Sequence, residues 1–295
     1  ALTHADVEEA FARRELVRTW PMRGTLHVVP AEDARWMCAL TGVLVLPKMA
    51  GRRAQLGLDE ATLTRAAKVF ERALRDDAAL TRAEMLAALE EANITTEGQR
   101  GYHLLVHWSV HGLLCFGPAR GKEQTFVLLD AWVPRSRTLT GDEALATLAT
   151  RYLASHAPAT PRDFAWWTGC TITRARSAFE MAEHTPHPTP TRASALLLPG
   201  FDEYLLGYAD RSAVLDPAFA KAICPGGNGV FQPTLVANGR VVGTWRRAQK
   251  KKALHVRFAP FETIPRTTRA ALAREAARYG RFLGLPVALE QETSA

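Results

Sequence analysis

The feature that most constrains this chain is a helix-start signal recurring at an almost constant interval. Thr3-His4-Ala5-Asp6, Thr81-Arg82-Ala83-Glu84 and Thr160-Pro161-Arg162-Asp163 each place a hydroxyl at an N-cap and a carboxylate three residues on. There the two groups satisfy free backbone N–H groups and favour the positive end of the helix dipole. Successive copies lie 78 and 79 residues apart, and each leads into apolar positions at helical spacing: Val7, Ala10, Phe11; Met85, Leu86, Leu89; Phe164, Trp167. One capping box is commonplace. Three in near-equal register predict three similar modules, each the size of a winged helix.

The surroundings of each box extend the pattern. Leu63, Ala66, Ala67, Phe70 and Leu74 share one face of a helix from Leu58 to Leu74. The Thr81 helix follows, then one through Tyr102 to Val110, then strands Leu113 to Phe116 and Thr125 to Leu129 about a Gly/Pro-rich turn. Helix, helix, helix and hairpin is the winged-helix order. The third module repeats the opening with Leu145, Leu148, Ala149, Tyr152 and Leu153 on one stripe. Pro161 then suits a first helical turn, Gly169 a helix end, and Thr171 or Thr173 a new start. In the first module a hairpin, Leu16 to Trp20 and Thr25 to Val29, follows the Thr3 helix, and a preceding helix is expected upstream. From Ala195 onward strands are predicted at Leu196 to Leu198, Tyr204 to Leu206, Thr234 to Val236, Val241 to Trp245 and Leu254 to Phe258. Asn238-Gly239 marks a type I′ hairpin, and a helix from Arg266 to Leu283 closes the chain. The expected fold is therefore α+β: tandem winged-helix (helix-turn-helix) modules at 1–50, 51–138 and 139–194, then a small β-barrel or sheet with a terminal helix at 195–295.

Composition narrows the partners. With 295 residues, 47% of them hydrophobic, the chain can build two or three small cores. No apolar run approaches membrane-spanning length, and no signal peptide opens the chain. Cys38, Cys115, Cys170 and Cys224 are too scattered for metal-ligand spacing and read as free thiols in a reducing cytoplasm. No metal and no cofactor are expected. The net charge of +7 favours a phosphate-bearing partner. The charge is concentrated, because Pro217 to Phe261 holds no Asp or Glu but Lys221, Arg240, Arg246, Arg247, Lys250, Lys251, Lys252 and Arg257.

Candidate contacts with nucleic acid follow from these placements. Arg23 sits at the first hairpin tip, and alternation puts Thr25 and His27 on one face with Leu26 and Val28 on the other; the bland alternative is a solvated turn arginine and a locally bonded histidine. His103, His107 and His111 recur every four residues. Without the carboxylate of an HExxH motif they read as a polar face of the recognition helix, from which Arg100, His103 and His107 can meet DNA. Arg120 and Lys122 belong to the second turn and Arg174 to the third module. Trp245-Arg246-Arg247 with Lys250 pairs an aromatic ring with cations for phosphate; otherwise Trp245 belongs to the core. Asp202 follows Pro199-Gly200-Phe201 in an expected loop, as a structural acceptor toward Arg211 or backbone, or as a catalytic carboxylate. Trp166 and Trp167 read as core.

Arg18-Thr19-Trp20-Pro21-Met22-Arg23-Gly24-Thr25-Leu26-His27, Leu104-Leu105-Val106-His107-Trp108 and Leu198-Pro199-Gly200-Phe201-Asp202-Glu203-Tyr204-Leu205-Leu206-Gly207 carry a further reading. With Arg211-Ser212 and Val241 to Arg246, they make the chain resemble the bacterial winged-helix family of AlkZ/YcaQ-like alkylpurine DNA glycosylases. The resemblance implies three winged helices and a C-terminal barrel around a basic channel for duplex DNA, including Arg211 among its cations. It also implies monofunctional hydrolysis of the N-glycosidic bond of N3- or N7-alkylated purines, with crosslink unhooking in some members. The family's catalytic Gln-x-Gln or Gln-x-Asp motif is not found in these residues and is expected upstream. A monomeric, cytoplasmic, nucleoid-associated enzyme on alkylated double-stranded DNA is the resulting expectation. The competing reading is a non-catalytic winged-helix regulator or damage binder.

Overall fold

The structure, a computed structural model, describes residues 2–183, 195–250 and 252–290. All three capping boxes form. The first starts α1 (His4–Ala12): Thr3 Oγ1 accepts the Asp6 N–H at 3.3 Å while the Asp6 carboxylate accepts the Thr3 N–H at 2.6 Å. A two-residue turn then joins β1 (Leu16–Met22) to β2 (Thr25–Pro30). Arg23 at φ 52° and Gly24 at φ 72° give the doubly left-handed geometry of a type I′ hairpin. Next come α2 (Ala34–Leu40) and α3 (Leu46–Gln55), both absent from the sequence reading; the expected boundary after residue 50 lies inside α3. The amphipathic helix α4 (Glu60–Ala73) buries Leu63, Ala66, Ala67 and Phe70, as its periodicity predicts. After β3 (Leu80–Thr81), the second box starts α5 (Arg82–Glu91), followed by α6 (Arg100–Val110), β4 (Leu114–Phe116) and β5 (Thr125–Leu128). The short α7 (Leu129–Trp132) leads to α8 (Gly141–His156), the third box to α9 (Pro161–Thr168), and Thr171 caps α10 (Ile172–Met181).

From Glu8 onward these elements belong to one of two compact units, Glu8–Thr185; the other comprises Pro186–Ala295 with Ala1–Val7, so that the boundary falls within α1. In the first unit the two hairpins share a single five-stranded sheet, ordered β2-β1-β4-β5-β3 and joined between them at Arg18 and Phe116. Helices cover both faces. On one, Val17, Cys115 and Val127 pack with Trp36 and Met37 of α2 and with Leu145, Leu148 and Tyr152 of α8. On the other, Trp20, Leu114 and Phe126 pack with Leu63, Phe70, Met85 and Leu104 of α4, α5 and α6. A sheet with two apolar partners has no solvent face over most of its area. Only β2 at its edge leaves apolar side chains, Leu26 and Val28, exposed.

The second unit is an open sheet. It runs from β6 (Ala195–Leu198) through the short α11 (Glu203–Leu206) and α12 (Ala220–Ile223) to β7 (Thr234–Ala237), β8 (Arg240–Lys250) and β9 (Ala253–Pro260). After α13 (Arg266–Leu283), β10 (Val287–Glu290) adds a parallel edge strand to β9. The order is β10-β9-β8-β7-β6, and among the described residues no ladder joins the two ends, so the sheet alternative to a barrel is what forms. Asn238 at φ 49° and Gly239 at φ 78° make the expected turn. Residues Tyr204 to Leu206, expected as a strand, are helical. Asp202 accepts the Tyr204 N–H at 2.9 Å and so starts the turn of helix. The closing helix packs Ala271, Leu272 and Ala276 against Leu235, Trp245, Val256 and Phe258. Gly280 is required where the chain returns over α13, since a Cβ there would lie 2.6 Å from the Leu285 carbonyl oxygen. Among the described residues no helix is long and apolar enough to cross a membrane.

Candidate nucleic-acid interface

The long strand β8 sets out the basic patch. Because side chains alternate along a strand, Trp245 points into the core and its neighbours point out. Trp245 is 5% exposed, donates from Nε1 to the Leu198 carbonyl at 2.8 Å and meets Tyr279 edge-on. Stacking of Trp245 on a base is thereby excluded, and the core alternative is the correct one. Arg246 lies exposed beside Arg257 of β9. Arg247 is engaged by Tyr279, donating to its hydroxyl with its guanidinium 5.3 Å from the ring centroid. Lys250 binds the Glu290 carboxylate at 3.1 Å, and Arg257 reaches the same carboxylate at 3.2 Å. The Glu290 carboxyl is held below the usual range, first by the hydrogen bond from Lys250 and further by Arg257. An acid that the sequence reading missed thus partly neutralises the segment that looked free of acids. Its strand is only four residues long and lies beyond the last predicted helix, although Gly284 and Pro286 mark a chain reversal before it. Lys251, also named in the patch, lies outside the described residues. Arg211 donates from Nε to the Leu205 carbonyl at 2.5 Å and lies over Phe231. Asp202 acts as the cap of α11.

In the other unit the hairpin tip is polar, as expected. Thr25 and His27 share a face, their Oγ1 and Nε2 2.8 Å apart, and Thr25 also donates to the Met22 carbonyl at 3.1 Å. Arg23 donates to the Trp166 carbonyl at 3.4 Å. Trp166, expected in the core, is 47% exposed, whereas Trp167 packs against Tyr152 at 4.9 Å. Lys122 and Arg174 are exposed.

Two expectations fail at α6. His103 and His107 are only 8% and 6% exposed, so they do not line a DNA-facing surface. The helix lies under α3, whose Arg52 and Arg53 place positive charge near the imidazoles. Burial first, then the charges of His111 and Arg53, push the His107 pKa down to about 4; burial likewise lowers His103 and His111. Arg100 spans from α6 to the Thr95 carbonyl at 2.8 Å and to the Leu56 carbonyl, which makes it a brace between loops. Arg120 is similarly held, by the Glu84 carboxylate at 2.7 Å and the Ala79 carbonyl at 2.5 Å. The i, i+4 histidine spacing marks one face of a helix, and α3 packed on that helix makes its surroundings buried. A second missed feature is Asp33, buried where its carboxylate accepts from Trp36 Nε1 at 2.7 Å and pairs with Arg151 at 2.6 Å and Arg137 at 3.5 Å. No group of three potential metal ligands is found among the described residues.

With the geometry in place, comparison with known proteins is informative. The sequence pattern of the DNA glycosylase AlkZ-like family matches residues 1–282. The chain belongs to the AlkZ-like DNA glycosylase family. An interstrand DNA cross-link repair glycosylase of Streptomyces sahachiroi is 28% identical over 95% of this chain and 82% of its own. The solved structure of the Streptomyces sahachiroi DNA glycosylase AlkZ superposes with a TM-score of 0.73 at 25% identity, over 96% of this chain and 84% of that one. As a member of the AlkZ-like family the chain has DNA as its partner and glycosidic-bond hydrolysis as its chemistry.

Proposed function

We propose that this AlkZ-like glycosylase hydrolyses the N-glycosidic bond of N3- or N7-alkylated purines in duplex DNA and releases crosslinks formed through such positions. The observation that carries the reading is the similarity, 28% identity along 95% of this chain, to a relative named for interstrand crosslink repair. The chemistry is economical for a protein of this kind. Alkylation at N3 or N7 leaves the purine cationic, so departure needs little general-acid assistance; the protein positions water and stabilises positive charge growing on the sugar. The helix, helix, helix and hairpin succession of α4, α5, α6, β4 and β5 supports reading 51–138 as a winged-helix module, and the capping-box spacing extends that reading to 1–50 and 139–194. Arg246, Lys122 and Arg174, all exposed, and the Arg23, Thr25 and His27 tip are proposed to meet the DNA backbone.

Incubation with a duplex carrying one 7-methylguanine or 3-methyladenine, scored for abasic sites, tests the reaction. Abasic sites in the alkylated strand alone are expected. Binding without excision of either lesion would return the protein to the non-catalytic damage binders.

A further inference from the structure

A second acid-free stretch lies in the first unit. From Ala34 to Leu58 there is no Asp or Glu, while Arg35, Lys48, Arg52 and Arg53 fall inside. Arg35 is engaged by Asp130 at 2.7 Å; the other three belong to α3. One side of α3 leans on the core around Trp20 and Leu104 through Leu46 and Met49, with Leu56 just past its end. The opposite side carries Lys48, Gly51, Arg52 and Gln55, all exposed. Their spacing of three and four puts them on one face, the position that an apolar stripe takes in a buried helix. Arg52 donates to the Gln55 and Gln99 amide oxygens at 3.2 and 3.1 Å, neutral partners that steady its charge without cancelling it. The charge is felt behind the helix, where burial first and then Arg52 and Arg53 lower the His103 pKa. The acids that follow in sequence face elsewhere: Asp59 accepts the Thr62 N–H at 2.8 Å, and Glu60 bears on His111. The start of α3 abuts the first hairpin, since a Cβ on Gly24 would lie 3.2 Å from the Val45 side chain.

We propose that the exposed face of α3 is a further binding surface for the DNA backbone, continuing from the first hairpin tip, with Lys48 and Arg52 each on a phosphate. The two side chains are one turn apart, roughly 6 Å between Cβ atoms, and reach neighbouring phosphates of one strand. Gln55, whose amide oxygen is taken by Arg52, presents its NH2 group to the same chain. Gly51 lies between the cations, and a Cβ there would meet nothing within 4 Å, so the sugar–phosphate chain can come close. Such contacts carry no sequence information, and the face therefore serves damaged and undamaged duplex alike. An acidic protein would answer the charge but makes no use of the neighbouring hairpin tip. The proposal deepens the reading of the protein as an enzyme of duplex DNA and rests on it.

The test is a salt titration of the whole protein on a labelled undamaged duplex, read by fluorescence anisotropy. Lys48→Gln combined with Arg52→Gln removes two phosphate contacts, so the plot of log affinity against log salt should flatten by about 1.8. At about 50 mM salt the affinity should fall at least tenfold, and equally for a duplex carrying 7-methylguanine. Both side chains are exposed, and a thermal melt checks the fold. Arg52→Lys keeps the charge but loses the fork to Gln55 and Gln99. Its slope should match wild type, and a drop as large as that of Arg52→Gln would make the arginine structural and overturn the proposal. Acetylation of Lys48, followed by mass spectrometry, should be slowed about fivefold or more by the duplex. An unchanged slope in the folded double variant, or acetylation of Lys48 indifferent to DNA, also overturns it. Wild-type excision of 7-methylguanine is scored separately: a flattened slope in the variant without excision by wild type defeats the glycosylase reading and leaves the surface standing.

Discussion

Replacing Glu290 by Gln should strengthen DNA binding, although the substitution removes two ion pairs. Glu290 holds Lys250 at 3.1 Å and Arg257 at 3.2 Å, in pairs whose cations are more than half exposed and which therefore add little to stability. With the carboxylate gone, both cations on the β8–β9 face become available to phosphate. Each additional phosphate contact steepens the plot of log affinity against log salt by about 0.9, so two steepen it by about 1.8. Between roughly 50 and 200 mM salt, the loss of affinity should then grow by about tenfold relative to wild type. Fluorescence anisotropy on an undamaged labelled duplex across that salt range measures the slope, and a thermal melt checks that the sheet is intact. Lys250→Ala in the Glu290→Gln background should return about half of the added slope. An unchanged slope in a normally folded Glu290→Gln protein would refute the idea that this face meets DNA.

Other expectations follow from single contacts. Arg246→Glu should reduce the salt slope by about one phosphate contact or more, read by the same titration. Asp33→Ala should destabilise the protein by about 3 kcal/mol in urea denaturation, at the lower end for a broken buried pair because Arg137 and Arg151 are partly exposed and can rehydrate; a loss below about 1 kcal/mol would discount the cluster. His107 has a folded-state pKa depressed to about 4 from an unfolded value near 6.5. Its contribution is present above about pH 6.5 and lost as the pH falls through 4, for a total of about 3 kcal/mol. His107→Met should flatten the fall in urea midpoint between pH 7 and pH 4, and an unaltered pH dependence would count against the burial argument. Gly280→Ala should cost about 1–3 kcal/mol through overpacking against the Leu285 carbonyl, visible as a lower melting temperature.

What could be read from the sequence was what depends on neighbours along the chain. The caps at Thr3, Thr81 and Thr160, the Asn238-Gly239 turn and the α4 stripe each need only a few consecutive residues. The same local logic misplaces Tyr204 to Leu206 as a strand, where the Asp202 cap and the following glycine make a turn of helix. What was lost depends on contacts across the chain. The burial of His103 and His107 is imposed by helices elsewhere in sequence, the partial neutralisation of Lys250 by a strand forty residues on, and the Asp33 cluster by α8 and the segment before it. Local pattern located the basic strand β8. It gave no count of how many of its cations stay unpaired.

The sheet that β1 and β2 share with β4, β5 and β3 bears on how such a protein can be altered by recombination. A repeat of 78 residues suggests interchangeable segments, yet each hairpin here supplies the edge that the other needs. Excising one copy would strip two apolar cores at once and leave an unpaired strand open to other chains. A segment that keeps this sheet whole must therefore span both hairpins, Leu16 to Leu128, with the helices on its two faces, whatever the sequence period suggests.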